Sequence, residues 1–207
     1  MKNINNFKIL GALLVFILGG CSNSGSAYQE YIATYNKIIE TENEILQYDS
    51  IFVEVHNEEK QLYETIIKQG ENKIQDVEEH LDEASLIISE GKNLIKNDQE
   101  TVQNMQHDLQ EAEKHFDALK EHEDGEHLIR LHNLYIERLD QYAILLDLCD
   151  DFLDKKQVLY DSLESGDSLK DVSKIVDEIN LCSINLEEEI LTFNRLTEEY
   201  NTLKSSM

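Results

Sequence analysis

Hydrophobic residues recur three and four positions apart along most of this chain. The longest such run begins at Tyr63 and passes through Ile67, Gly70, Ile74, Val77, Leu81, Ala84, Ile88, Gly91, Ile95, Asp98, Val102, Met105, Leu109, Ala112, Phe116 and Leu119. About eight heptads in one register predict a long helix with a left-handed coiled-coil seam. Its weak points are Gly70, Gly91 and Asp98, and the most plausible place for a bend or break is Lys96-Asn97-Asp98. A second stripe runs through Leu128, Leu131, Tyr135, Tyr142, Leu145, Cys149, Phe152, Leu159 and Leu163, flanked by Leu139, Leu146, Leu153 and Tyr160. A third follows Leu169, Val172, Val176, Ile179, Leu186, Ile190, Phe193 and Tyr200, flanked by Ile175, Cys182, Leu196 and Leu203. These two stripes are wider than a two-stranded seam, so each helix should touch two neighbours.

Ahead of the long seam, Tyr28, Tyr31, Tyr35, Ile38 and Ile45 mark a shorter first helix, with Ile32, Ile39 and Leu46 alongside. It is expected to end near Tyr48-Asp49-Ser50. Turns are expected at Glu123-Asp124-Gly125 and Ser165-Gly166-Asp167-Ser168, where Gly166 suits a left-handed helix C-terminus and Asp167 or Ser168 suits a helix cap. At 1.5 Å per residue the long helix spans roughly 85 Å, the last two about 55 Å each and the first about 30 Å. The predicted fold is all-α, an elongated antiparallel bundle with one long central helix. Three helices pack over most of its length, and residues 28–207 form a single elongated domain.

The N-terminus breaks this periodicity. Lys2 and Lys8 precede an uncharged run from Ile9 to Leu18, about the length of a signal-peptide core and too short to cross a bilayer. Leu18-Gly19-Gly20-Cys21 follows and looks like a lipobox. Residues 1–20 are therefore expected to be a lipoprotein signal peptide, cut between Gly20 and Cys21. The Cys21 thiol then takes a diacylglycerol, and residues 21–27 serve as lipidated cysteine and flexible tether. Cleavage by an ordinary peptidase near Ser24-Gly25-Ser26-Ala27 is the competing outcome.

Composition sharpens the picture. The chain has 18 Lys+Arg against 43 Asp+Glu; without Lys2 and Lys8, 16 basic residues face the same 43 acidic ones, a net −27. Such a surface repels nucleic acid and anionic polymers. The acidity is spread along the helical pattern rather than blocked into a tail, as solvated helix faces require. There is no proline and no tryptophan. A chain so poor in helix breakers is helical almost throughout.

Candidate chemistry is sparse. Cys149 and Cys182 lie symmetrically about the Ser165-Gly166 turn, so a disulfide is allowed in an extracytoplasmic compartment; two buried thiols are the alternative. His115, His122, His127 and His132 gather near Glu121, Glu123, Asp124 and Glu126. Imidazole and carboxylate together can bind a transition metal or sense pH, but the spacing matches no dedicated metal site, and a solvated turn is the preferred reading. Asp150-Asp151 and Glu187-Glu188-Glu189 lack a cleft that would tune them for catalysis. The tyrosines fall on helical stripes and are read as core. No catalytic residue, metal or cofactor is expected.

With the lipobox and the stretch from Glu59 to Gly70 in hand, the chain resembles the YkyA-type cell-wall-binding lipoproteins of Bacillus and its relatives, over most of the mature sequence down to Glu198-Glu199-Tyr200-Asn201-Thr202-Leu203-Lys204. The resemblance implies an all-helical lipoprotein on the outer face of a Gram-positive membrane, and carries no catalytic residues with it. The expected function is a non-enzymatic surface module held in the lipid bilayer through Cys21, meeting peptidoglycan or another surface protein. The alternative is a self-associating coiled-coil spacer.

Overall fold

The computed structural model describes residues 25–70 and 77–206. The signal segment, Gly20 and Cys21 lie outside the described residues. Five α-helices account for nearly all of the described chain, and no strand occurs among the described residues. They are α1 (Gly25–Gly70), α2 (Glu78–Ala112), α3 (Phe116–Leu119), α4 (Gly125–Ser165) and α5 (Leu169–Ser205), with a 3-10 turn at Glu113–His115 between α2 and α3. The helices pack on one another, so the all-α bundle expected from the sequence is the fold.

The division of the chain among helices differs from expectation. The first helix does not end at Tyr48-Asp49-Ser50 but runs to Gly70, and the long helix expected from Tyr63 to Leu119 is instead the end of α1, then α2, the 3-10 turn and α3. Two heptad phases cross at Tyr63. The α1 phase, set by Tyr28, Tyr31, Tyr35, Ile38 and Ile45, continues as Glu59, Tyr63 and Ile66; the α2 phase extended backwards gives Tyr63 and Ile67. Ile66 is 3 % exposed and Ile67 43 %, so the α1 phase governs there. Asp49 and Ser50 are poor helix formers, but each costs only about 0.5 kcal/mol relative to alanine, too little to end a helix with tertiary packing on both sides. From Val77 onward the expected seam is correct: Leu81, Ala84, Ile88, Ile95, Val102, Met105, Leu109 and Ala112 are all buried, and α2 continues through Gly91 and Asp98.

The described residues form two compact units. The first comprises Gln47–Asp98 and Leu145–Glu188; the second comprises the helical residues up to Leu46, Gln99–Ile144, and the chain from Glu189 on. Each of α1, α2, α4 and α5 contributes a stretch to each unit.

In the second unit, contacts fix the helix directions. Glu30 meets His115 and Lys37 meets Asp108, so α1 and α2 are antiparallel. Gln106 reaches Asp140 while Glu113 approaches His132, so α2 and α4 are antiparallel. Gln141 bonds Glu189 and His127 bonds the Leu203 carbonyl, so α4 and α5 are antiparallel. This unit is an up-down-up-down four-helix bundle, rather than the three-helix packing expected. In the first unit, Lys92 contacts Asp150 and Asp154 while Gln157 bonds Ser85, again setting α2 against α4. The α4–α5 turn there is a Schellman motif. Gly166 takes φ +70°, Asp167 N–H donates to the Ser162 carbonyl at 3.0 Å and Gly166 N–H to the Leu163 carbonyl at 3.3 Å. Ser168 caps α5 through its hydroxyl, which accepts from Asp171 N–H at 3.3 Å and donates to the Asp171 carboxylate at 2.5 Å.

Candidate functional site

The buried polar side chains occupy seam positions of the helices. In α4 the spacing that places Tyr135 and Tyr142 in the core also places Arg138 there, and Phe152 and Leu159 bracket Lys156 in the same way. Arg138 and Lys156 are 7 % and 4 % exposed. The stripe read from the sequence passes over both because they are charged. Their partners stand at seam positions of α1: Glu42, between Ile38 and Ile45, and Glu59.

In the first unit, Lys156 and Glu59 form a buried ion pair, and the Tyr160 hydroxyl donates to the other oxygen of Glu59. The Lys156 ammonium also lies 5.0 Å from the centre of the Phe152 ring, within cation–π range. Burial lowers the Lys156 pKa against the opposing pull of Glu59. Burial and the adjacent carboxylate drive the Tyr160 phenol far above its ordinary range. Tyr160 therefore stays protonated and donates.

In the second unit, Arg138 pairs with Glu42, which also accepts from the Tyr135 hydroxyl at 2.9 Å. The guanidinium lies 5.0, 5.7 and 5.3 Å from the ring centres of Tyr135, Phe193 and Tyr200. Tyr200 in turn shares a 2.8 Å hydrogen bond with Tyr35. One atom is left over, since the buried Nε of Arg138 has no hydrogen-bond partner. A void of about 10 Å³ is lined by Arg138 together with Glu42, Ile45, Met105, Leu139, Tyr142 and Phe193. That is room for about one water molecule and not for a substrate.

The histidines of the expected turn diverge. His122 is exposed and stacks on Tyr28, with ring centres 4.1 Å apart. His127 bonds the Leu203 carbonyl at 2.9 Å near the end of α5. His115 lies 3.8 Å from the Glu30 carboxylate. His132 is fully buried against Tyr31 and Phe116. Among the described residues no group of three or more His, Cys, Asp or Glu side chains could hold a metal ion. Tyr28, Tyr31, Tyr35, Tyr135 and Tyr142 are all buried, as read from their spacing.

Cys149 and Cys182 are present as thiols rather than as a disulfide. The Cys182 sulfur lies 3.7 Å from the Leu148 carbonyl and 3.6 Å from Asp151, which fixes α5 against α4 at this level. Burial first, and then the Asp151 charge, push its pKa up to about 11. Asp150 and Asp154 bracket Lys92, whose pKa is raised chiefly by its hydrogen bond to Asp154. Asp151 also holds Lys155 at 3.0 Å. Some apolar side chains among the described residues face outward. The first unit exposes Ile67, Leu86, Val158, Leu181 and Ile184, and the second Ile144 and Leu191.

No described helix is long and apolar enough to cross a membrane. Comparison with known families finds a match over residues 26–207 to the family model YkyA, described as "Putative cell-wall binding lipoprotein". No curated protein and no solved structure matches the chain.

Proposed function

The chain belongs to the YkyA family of lipoproteins, and from that premise we propose a membrane-anchored, extracytoplasmic protein cut between Gly20 and Cys21 and held by acyl chains on Cys21. The observation that carries this is the family match together with Lys2, Lys8, the apolar run and Leu18-Gly19-Gly20-Cys21 at the start of the chain. Two or three acyl chains hold a protein stably where one alone gives marginal binding. The helical part is a non-catalytic module that binds a wall component or a neighbouring surface protein through its outer helix faces. Its buried ion pairs are closed within each unit, which supports binding by the outer helix faces.

With a net −27 on the mature chain, contact with an anionic wall polymer requires bridging divalent cations. A Cys21→Ala variant tests the anchor: it should remain unprocessed or leak into the medium, and normal membrane retention overturns the assignment. Sedimentation with purified sacculi, with and without calcium, tests the wall. If neither condition brings the protein down, and cross-linking in intact cells recovers no surface protein, the binding role is wrong. A second reading, self-association, is favoured by Leu181 and Ile184, 60 % and 54 % exposed and one turn apart on α5. A monomer by analytical ultracentrifugation at high concentration removes it.

A further inference from the structure

Three residues in the first turns of α1 are each met by a histidine from the chain between α2 and the middle of α4. His122 lies flat on the Tyr28 ring, the planes within 12° of each other. The His115 Nε2 stands 3.8 Å from the Glu30 carboxylate. The His132 Nδ1 stands 3.2 Å from the Tyr31 hydroxyl. All of these residues belong to the second unit. The three histidines see very different amounts of water: His122 is exposed, the His115 side chain is 12 % exposed, and His132 is 0 % exposed. We infer that they form a clamp on the beginning of α1, and that the clamp loosens when His132 takes up a proton.

The surroundings of His132 carry the argument. Its ring is packed edge-on against Phe116, centres 4.9 Å apart, and tilted against Tyr31 at 5.8 Å. The Tyr31 hydroxyl serves Nδ1, but the buried Nε2 has no hydrogen-bond partner. The 3-10 turn presents Glu113, whose carboxylate is 3.9 Å from Nε2, beyond hydrogen-bond reach, and about half exposed. From α1 the titratable neighbour is Tyr31. On the α5 side Tyr200 couples electrostatically to Tyr31. A neutral imidazole tolerates this site, because one ring nitrogen is satisfied and the other carries no formal charge. An imidazolium needs both N–H groups paired or hydrated: the Tyr31 hydroxyl can accept from Nδ1–H, but Nε2–H has no acceptor within hydrogen-bond reach.

Burial accordingly lowers the His132 pKa to about 4, against an ordinary value near 6.5. The sign follows from linkage. Between those two values the opened state binds a proton that the closed state does not, so the closed state loses stability as pH falls through the window. For one proton the equilibrium shifts by up to about tenfold per pH unit. Opening is read on the α1 side, because Tyr28, Glu30 and Tyr31 in its first turns are each met by one of the three histidines. His115 also faces the Glu30 carboxylate, and His122 lies on Tyr28 with Asp124 close by. Both contacts reach water, so they oppose the loosening only weakly.

Amide hydrogen exchange on the purified chain, followed from pH 7.5 to 4.5 and normalised to intrinsic rates, tests the clamp. Protection over residues 27–38 should fall toward tenfold per pH unit below about pH 6, more steeply than over residues 169–188 of the first unit. A His132→Gln variant, which fills the site but cannot take the proton, should lose that dependence. Protection that does not change with pH in the parent chain, or an unchanged slope in folded His132→Gln, overturns the inference. Should the variant not fold, the NMR titration of the parent His132 ring decides. A midpoint below about 5 supports the clamp, and one near the ordinary 6.5 overturns it.

Discussion

Removing either member of the Glu59–Lys156 pair should be far more damaging than removing both. Glu59 and Lys156 are 2 % and 4 % exposed. Replacing Glu59 by Met strands an ammonium beside the Phe152 ring; replacing Lys156 by Met strands a carboxylate that keeps its hydrogen bond from Tyr160. Breaking such a pair from one side costs about 3–5 kcal/mol. The double variant leaves no buried charge. Its remaining defect is the Tyr160 hydroxyl without an acceptor, about 1–3 kcal/mol, offset by the gain of roughly 1–4 kcal/mol seen when apolar residues replace a buried ion pair. The double variant should therefore lie between about 2 kcal/mol below and about 3 kcal/mol above the parent, and the cycle should show a coupling of about 4 kcal/mol or more.

Urea unfolding followed by circular dichroism at 222 nm measures this. With a slope of about 1–3 kcal/mol per molar, each single variant should lose one molar or more in midpoint while the double variant stays near the parent. Glu59→Met adds a second signature. Without the carboxylate, burial depresses the Lys156 pKa further, so the unfolded chain binds the proton more tightly and stability rises with pH toward 10. Strictly additive effects, with the double variant losing the sum of the singles, would refute the reasoning, because they would mean that the two groups do not compensate each other in the interior.

The two turn glycines should respond differently to alanine. At Gly125 a Cβ would stand 1.6 Å from the Leu119 carbonyl oxygen, a backbone atom, so the turn must move and Gly125→Ala should cost about 2–3 kcal/mol or more. At Gly166 nothing lies within 4 Å, and only the left-handed φ of +70° is at stake, about 1–2 kcal/mol; equal losses in thermal melts would contradict this. Ser168→Ala removes the cap of α5 and should cost about 1 kcal/mol, whereas Ser168→Asp should retain most of the stability. With its pKa near 11, Cys182 should react with iodoacetamide at pH 8 roughly two hundredfold more slowly than an unperturbed thiol, and the same suppression applies to its oxidation. Alkylation of the folded chain at a rate within a few-fold of the urea-unfolded chain would refute it.

Much of the fold was legible because helix periodicity is a direct consequence of one buried face. The α2 seam, the α4 and α5 stripes, the tyrosine core and the Gly166 turn follow from spacing alone. The errors share a cause. A strictly apolar seam excludes Glu42 and Glu59 from α1, so the first helix reads as short and its far end falls to its neighbour. Reading α4 the same way passed over Arg138 and Lys156. Admitting charged residues to the seam, Glu42 and Glu59 among them, joins Tyr28 to Ile66 in a single phase. Its further positions 49, 52 and 56 carry side chains outside the described set. The pairing itself was not legible, because the partners are about a hundred residues apart and nothing local couples them. Of the candidate site residues, the histidine cluster was visible in sequence, but its dispersal was not. Four imidazoles within eighteen positions look convergent until the helix phase sends His132 inward and His122 outward.

Charge in the core has a consequence that apolar packing lacks. Seams of Leu, Ile and Tyr are nearly indifferent to a slip of one heptad, since each apolar side chain meets another of similar size. In the first unit such a slip of α1 would place Phe52 or Ile66 where Glu59 stands, leaving Lys156 buried without a carboxylate at a cost of about 3–5 kcal/mol. In the second unit a slip in one direction would set Tyr35 against Arg138, with the same result. The pairs thus contribute less to the depth of the native state than to its uniqueness, as a single polar residue does at a coiled-coil seam. This separates two quantities that a melting curve merges. The Glu59→Met, Lys156→Met double variant should keep its urea midpoint yet show extra or broadened amide resonances in the first unit, where slipped arrangements are no longer penalised. One sharp set of resonances, matching the parent, would show that the remaining packing fixes the register without the pair.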